Sequence, residues 1–122
     1  MITFSSMTQV YLATGATDMR KSFNGLYGIV SEALGLDPTS GQLFAFCNRR
    51  RSRLKILYWD GSGLCVLAKR LERGTFAWPQ AEAKRVEMTT AELTLLLNGI
   101  DLSRTRQRDW YRLKTPLNSK RA

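Results

Sequence analysis

Residues 43–72 constrain this chain more than any other stretch, because three runs of apolar residues are cut by two short turn signals. Leu43–Asn48 reads as one strand, Arg49-Arg50-Arg51-Ser52 as a turn and Arg53–Trp59 as a second strand. Asp60-Gly61-Ser62-Gly63 is a turn that favours positive φ, and Leu64–Glu72 is a third strand. The turn lengths set a register. Trp59 pairs with Leu64, Leu57 with Val66, Lys55 with Ala68 and Arg53 with Arg70, while Phe46 meets Lys55 and Phe44 meets Leu57. Side chains alternate across a strand, so this register defines two faces. One holds Leu43, Ala45, Cys47, Leu54, Ile56, Tyr58, Cys65, Leu67 and Leu71, with Lys69 as its one charge. The other mixes Phe44, Phe46, Leu57, Trp59, Leu64 and Val66 with Arg53, Lys55 and Arg70.

The flanking segments supply the remaining elements. Gln9–Thr14 reads as a short strand ended by Gly15. Thr17 or Asp18 is placed to cap a helix that carries Met19, Phe23, Leu26, Tyr27, Val30 and Leu34 at helical spacing and stops at Gly35. Gly25 and Gly28 inside that helix predict a close approach by another backbone. Phe76, Trp78 and Pro79 form a covering segment, and Arg85–Met88 adds a short strand. Thr89-Thr90-Ala91-Glu92 is a capping box for a second helix bearing Leu93, Leu96, Leu97 and Ile100, with Gly99 at its end. The expected fold is α+β: an antiparallel sheet, built of a three-strand meander plus one or two short strands, with two helices on one side. Residues 1–102 form a single domain and 103–122 a basic, flexible tail in which Trp110, Tyr111 and Leu113 could serve as anchors.

Charge narrows the function. The 122 residues carry 19 Lys+Arg against 10 Asp+Glu, a formal charge of +9, which points to a polyanionic partner. The excess sits in two blocks, residues 49–74 and 102–122, each net +6. Histidine is absent, which removes His-based triads, His general bases and His metal ligands. Cys47 and Cys65 do not form a Cys-x-x-Cys pair, so zinc ribbons and thioredoxin-type motifs are excluded, and both are expected to be reduced core residues. No secretory signal is read at the start, and no apolar run approaches the roughly 18 residues of a membrane span. A soluble, cytoplasmic chain is expected.

Three local features have functional readings. Aromatic side chains beside cations on one sheet face could stack on bases while the cations take phosphates. Alternatively those rings are a second core layer under the Phe76–Trp78 segment or the second helix. Arg20 and Lys21 in a first helical turn oppose the helix dipole, which suggests a phosphate clamp; a solvent-facing pair held by Asp18 is the plainer alternative. Asp60 followed by Glu82-Ala83-Lys84 loosely mimics a nuclease pattern of an acid and a later acid-x-Lys, but Asp60 also suits a hairpin turn. No Walker or dinucleotide loop occurs. The chain therefore reads as non-catalytic, with no metal or cofactor.

Four blocks together resemble a known family. They are Thr14-Gly15 with Thr17–Leu26, Leu43–Phe46, Lys55–Leu64 and Lys69–Pro79. They resemble the TnpB-type accessory protein encoded by the second open reading frame of insertion sequences of the IS-sixty-six family. The likeness covers roughly residues 10–102 and departs from many relatives at Ala16, Ser22 and Asn24. It implies a bacterial mobile-element protein that assists a separate, larger transposase in DNA transposition, with no assigned cofactor. On this reading the partners are DNA, at element ends or target, and the transposase; the location is the cytoplasm, beside the nucleoid. The expected backbone-contacting residues are Arg49, Arg50, Arg51, Arg53, Lys55, Lys69 and Arg70, followed by Arg20 and Lys21, with the tail arginines as non-specific tethers. The alternative is an adaptor that docks on the transposase without touching DNA.

Overall fold

The structure, a computed structural model, describes residues 7–99. The basic tail, Ile100 and the second +6 block lie outside the described residues. Five strands form one open sheet in the order β4-β3-β2-β1-β5. They are β1 (Gln9–Ala16), β2 (Leu43–Cys47), β3 (Arg53–Trp59), β4 (Leu64–Arg70) and β5 (Arg85–Thr89). Helix α1 (Phe23–Gly28) runs on into one π-helical turn, Ile29–Ala33, and α2 (Thr90–Leu97) follows β5.

The β2–β3–β4 meander has the register that its turn lengths dictate. Phe44 meets Leu57 and Phe46 meets Lys55; Trp59 meets Leu64 and Arg53 meets Arg70. Asp60 holds the β3–β4 turn, its Oδ1 accepting from the backbone N–H of Ser62 at 2.9 Å and Gly63 at 3.0 Å. At the β2–β3 turn Asn48 does the same work, its Oδ1 accepting from Ser52 and Arg53 N–H at 2.9 and 3.0 Å. Arg51 occupies the left-handed region there, at φ 61°.

Two expectations are corrected. First, the sheet of the α+β fold is antiparallel as expected except at one pair: β1 runs antiparallel to β5 but parallel to β2. A parallel pair needs a crossover, and α1 with its π turn supplies it. Second, the helices lie on opposite faces. Leu26 and Val30 of the crossover bury Ala13, Phe44, Phe46 and Leu57 in one core. Leu93 and Leu96 of α2 join Phe76 and Trp78 over Val10, Leu12, Leu43, Ala45, Cys47, Leu54 and Ile56 in the other. Phe44 and Phe46 are thus fully buried, and Tyr11 stacks on Phe44 with ring centroids 5.8 Å apart. Those rings are a second core layer, not a base-stacking platform, and the cover is the first helix instead of the Phe76–Trp78 segment or the second helix.

The start of the first helix also differs from expectation. The helix opens at Phe23, its first bond running from Leu26 N–H to the Ser22 carbonyl at 2.8 Å. Asp18–Lys21 is a turn before it, because the Asp18 carboxylate accepts from Arg20 N–H at 2.9 Å and from its guanidinium. Arg20 and Lys21 therefore do not oppose a helix dipole. Gly25 is close-packed, but against the stem of Lys21 (an added Cβ would sit 3.0 Å from Lys21 Cβ), whereas Gly28 has open space. The crossover ends as expected at Gly35, φ 68°. The second helix carries the expected capping box, with Thr89 Oγ1 accepting from Glu92 N–H at 3.1 Å and Glu92 Oε1 from Thr89 N–H at 2.8 Å.

Pairing between β1 and β2 shifts between Leu12 and Ala16, and this bulge bares backbone carbonyls. A buried carbonyl without a partner is costly. The buried Trp78 indole N–H donates to the Ala13 carbonyl at 2.9 Å, and Arg51 Nη2 donates to that of Thr14 at 3.4 Å. Phe46→Ala should lower stability by about 3–5 kcal/mol through the cavity it leaves. Thr89→Ala should cost about 1 kcal/mol. Chemical denaturation of the two variants tests both values; equal effects would contradict the two-sided core.

Candidate nucleic-acid interface

Strand directions place the cations. β1, β2 and β4 finish at the same end of the sheet where β3 and β5 begin. That end gathers Asp18–Lys21 after β1, Asn48–Ser52 between β2 and β3, Arg53 opening β3, Arg70 closing β4, and Lys84-Arg85 at the start of β5. A cleft of about 700 Å³ lies between the post-β1 turn and the β2–β3 turn, rimmed by Arg20, Arg49, Arg50 and Arg53 with Thr17 and Asn48 in its wall. Thr17 is buried, and its N–H donates to the Cys47 carbonyl at 2.8 Å, tying the turn to β2.

The expected site residues divide by what their charged groups touch. Arg49 and Arg50 are exposed at the turn tip, because Asn48 and the left-handed Arg51 hold the turn without them. Arg53 is exposed and directly opposite Arg70. Like charges facing each other across two strands are unfavourable, unless an anion sits between them. Arg70 pairs with Glu72 at 3.2 Å and Arg20 with Asp18 at 2.8 Å, both in exposed positions where such pairs contribute little. Lys21 is exposed.

Three others are engaged by the fold. Arg51 donates to the Thr14 and Asn48 carbonyls. Lys55 Nζ donates to the Lys21 carbonyl at 2.8 Å and so pins the post-β1 turn to the sheet. Lys69 points to the opposite face, where its Nζ donates to the Leu97 carbonyl at 2.7 Å, at the end of α2 where a cation suits the helix dipole.

Lys84 was not among the expected residues, since it falls in a net-negative stretch of sequence. It joins this end because β5 pairs with β1, and its carbonyl accepts from Thr14 N–H at 3.0 Å. Neighbouring Arg85 is engaged instead, its guanidinium donating to the Leu34 carbonyl and lying 5.8 Å from the Tyr11 ring centre.

The nuclease-like pattern does not assemble. Asp60 sits in the β3–β4 turn, at the far end of the sheet from Glu82. The carboxylate that does share a cleft with Glu82 and Lys84 is Asp18, and Arg20 occupies both of its oxygens. No group of three or more His, Cys, Asp or Glu side chains that could hold a metal occurs among the described residues. Both cysteines are free, and no described helix is long and apolar enough to cross a membrane.

A small mixed-sheet α+β domain with its cations at one sheet end is the class these features define. The chain belongs to the family described as IS66 Orf2 like protein, TnpB_IS66, whose model matches residues 8–107. Two relatives come from Sinorhizobium fredii. The uncharacterized protein y4hO is 45% identical over 101 residues, covering 83% of this chain and 88% of the relative. The uncharacterized protein y4jC is 37% identical over 108 residues, covering 88% and 92%. No solved structure matches. The chain is thus an insertion-sequence protein of the second-reading-frame type.

The hydrogen bonds from the Arg20 guanidinium, then from its backbone N–H, hold the Asp18 carboxyl down at about 2. A lowered folded-state pKa gives a contribution present above the ordinary carboxylate value and lost as pH falls toward about 2. Carboxyl-detected NMR should find Asp18 titrating near 2, and Arg20→Ala should move it up toward 3.8. An unchanged midpoint in that variant would contradict the turn geometry.

Proposed function

We propose that this chain is a non-catalytic DNA-binding accessory protein of its insertion sequence, acting in the cytoplasm beside the nucleoid with a separate transposase. The observation that carries the reading is the convergence of Arg49, Arg50 and Arg53 with Arg20, Lys21, Arg70 and Lys84 on one sheet end. No ion pair from a described carboxylate to Arg49, Arg50 or Arg53 is present. The cationic end is the positioning surface and contacts the phosphate backbone. With Phe44 and Phe46 buried, base stacking is not part of the reading. Residues 1–102 act as the binding domain, and the basic residues beyond 102 add a tether.

If six to ten phosphates are neutralised, affinity for element-end DNA falls roughly 10³–10⁵-fold between 50 and 200 mM salt. Replacing Arg49, Arg50 and Arg53 together by Ala lowers the log–log salt slope by about three and leaves the melting temperature near that of the parent. Lys69→Ala does the reverse: an unchanged slope and a lower melting temperature. Salt-insensitive binding, or a triple variant that binds as the parent does, rejects the reading.

A second reading, an adaptor docking on the transposase, is favoured by Phe23 and Tyr27. They stand one turn apart on α1 and are 46% and 38% exposed. Co-purification with the transposase that survives nuclease treatment and is lost on Phe23→Ala with Tyr27→Ala would support it.

A further inference from the structure

The two edges of the sheet are built differently. β5 is five residues long and carries Arg85 and Glu87 at alternate positions, the usual protection against strand addition. β4 is seven residues long, and Leu64–Ala68 has no charge and no proline; its pairing with β3 has no bulge. Leu64 and Val66 pack partly into one core, Cys65 and Leu67 partly into the other. A strand apolar on both faces is the pattern of an interior strand, yet no described strand pairs with its outer side.

The ladder fixes which groups face outward. Leu71 N–H donates to the Ser52 carbonyl at 2.8 Å, and Asp60 N–H to that of Gly63 at 3.1 Å. Antiparallel bonding alternates, so Cys65, Leu67 and Lys69 also bond inward, and Leu64, Val66, Ala68 and Arg70 direct their backbone groups outward.

We infer that this edge is a dimerisation surface that takes β4 of a second copy of the chain, antiparallel and centred on Leu67. Charge selects the direction. β4 has Lys69 and Arg70 at one end and the Asp60 turn at the other. A parallel partner sets Arg70 against Arg70, whereas an antiparallel one brings the cationic end of each copy to the Asp60 turn of the other. Outward residues select the register: centring on Leu67 matches Leu64 with Arg70 and Val66 with Ala68, and the reverse, so that all four outward-facing residues are paired. The contact is self-complementary, as a two-fold interface requires. The two cationic ends then point in opposite directions; only on the DNA-binding reading above does this mean that one dimer holds two DNA segments.

Sedimentation velocity of the full chain without DNA tests the inference independently of that reading. The parent is expected to shift from monomer to dimer as concentration rises. Ala68→Pro removes an outward N–H and leaves the β3–β4 ladder intact, so a folded monomer at every concentration is expected, with an unchanged circular dichroism spectrum. Leu67→Cys in a Cys65→Ser background places two thiols across the two-fold, where facing Cα atoms in such a non-bonded pair are about 4.5 Å apart. Mild oxidation should give a disulfide-linked dimer. A parent that stays monomeric into the millimolar range overturns the inference, as does a folded Ala68→Pro chain that dimerises like the parent or a Leu67→Cys chain that does not cross-link.

Discussion

The parallel pairing of β1 with β2 organises the molecule. Two parallel neighbours cannot be joined by a turn, so the chain must travel back across a sheet face between them. Here α1 and its π-helical turn make that journey over Phe44, Phe46 and Leu57. Two results follow from one constraint. Phe44, Phe46 and Leu57 are sealed into a core, and with β3, β4 and β5 alternating in direction, five strand ends converge where the crossover leaves the sheet.

What the sequence made legible is local. The register of the meander could be read because short turns leave no slack: Asn48 and Asp60 close their turns with side-chain acceptors, and a one-residue slip would turn Leu54 and Ile56 out of the core. The capping box of α2 was equally plain, since Thr89 and Glu92 satisfy each other three residues apart. The covering role of Phe76 and Trp78 was also readable, although the reason for it, an acceptor left at the β1 bulge, was not.

The misread features depend on partners distant in sequence. Nothing in Gln9–Ala16 says whether β2 will run with it or against it; that is decided by the crossover and by β5, more than seventy residues later. Thr17 and Asp18 look like helix caps because both side chains can accept. In the fold the Thr17 N–H goes to Cys47 and the Asp18 carboxylate goes to Arg20, so the helix starts later. Lys84 was missed for the same reason: it lies in a net-negative stretch of sequence, and its spatial neighbours are those of the end of β1.

The cationic end owes its charge to the kind of acceptors its engaged cations use. Arg51, Lys55, Lys69 and Arg85 each donate to backbone carbonyls, which are neutral. Each such bond fixes a loop or helix end without cancelling a charge. Had the same side chains been tied to carboxylates, the fold would have been held as well, and the local field would have been erased. Asp37 before β2, Asp60 in the β3–β4 turn and Glu92 opening α2 belong to the opposite end of the sheet. Of the acids at the cationic end, Asp18 and Glu72 are paired with Arg20 and Arg70, not with Arg49, Arg50 or Arg53. Arg53 facing Arg70 then follows the same logic. The pair carries a repulsion that hydrophobic replacement would remove, and it lies where the field is already positive. A surface arranged in this way lowers its own electrostatic energy when anionic groups lie along it.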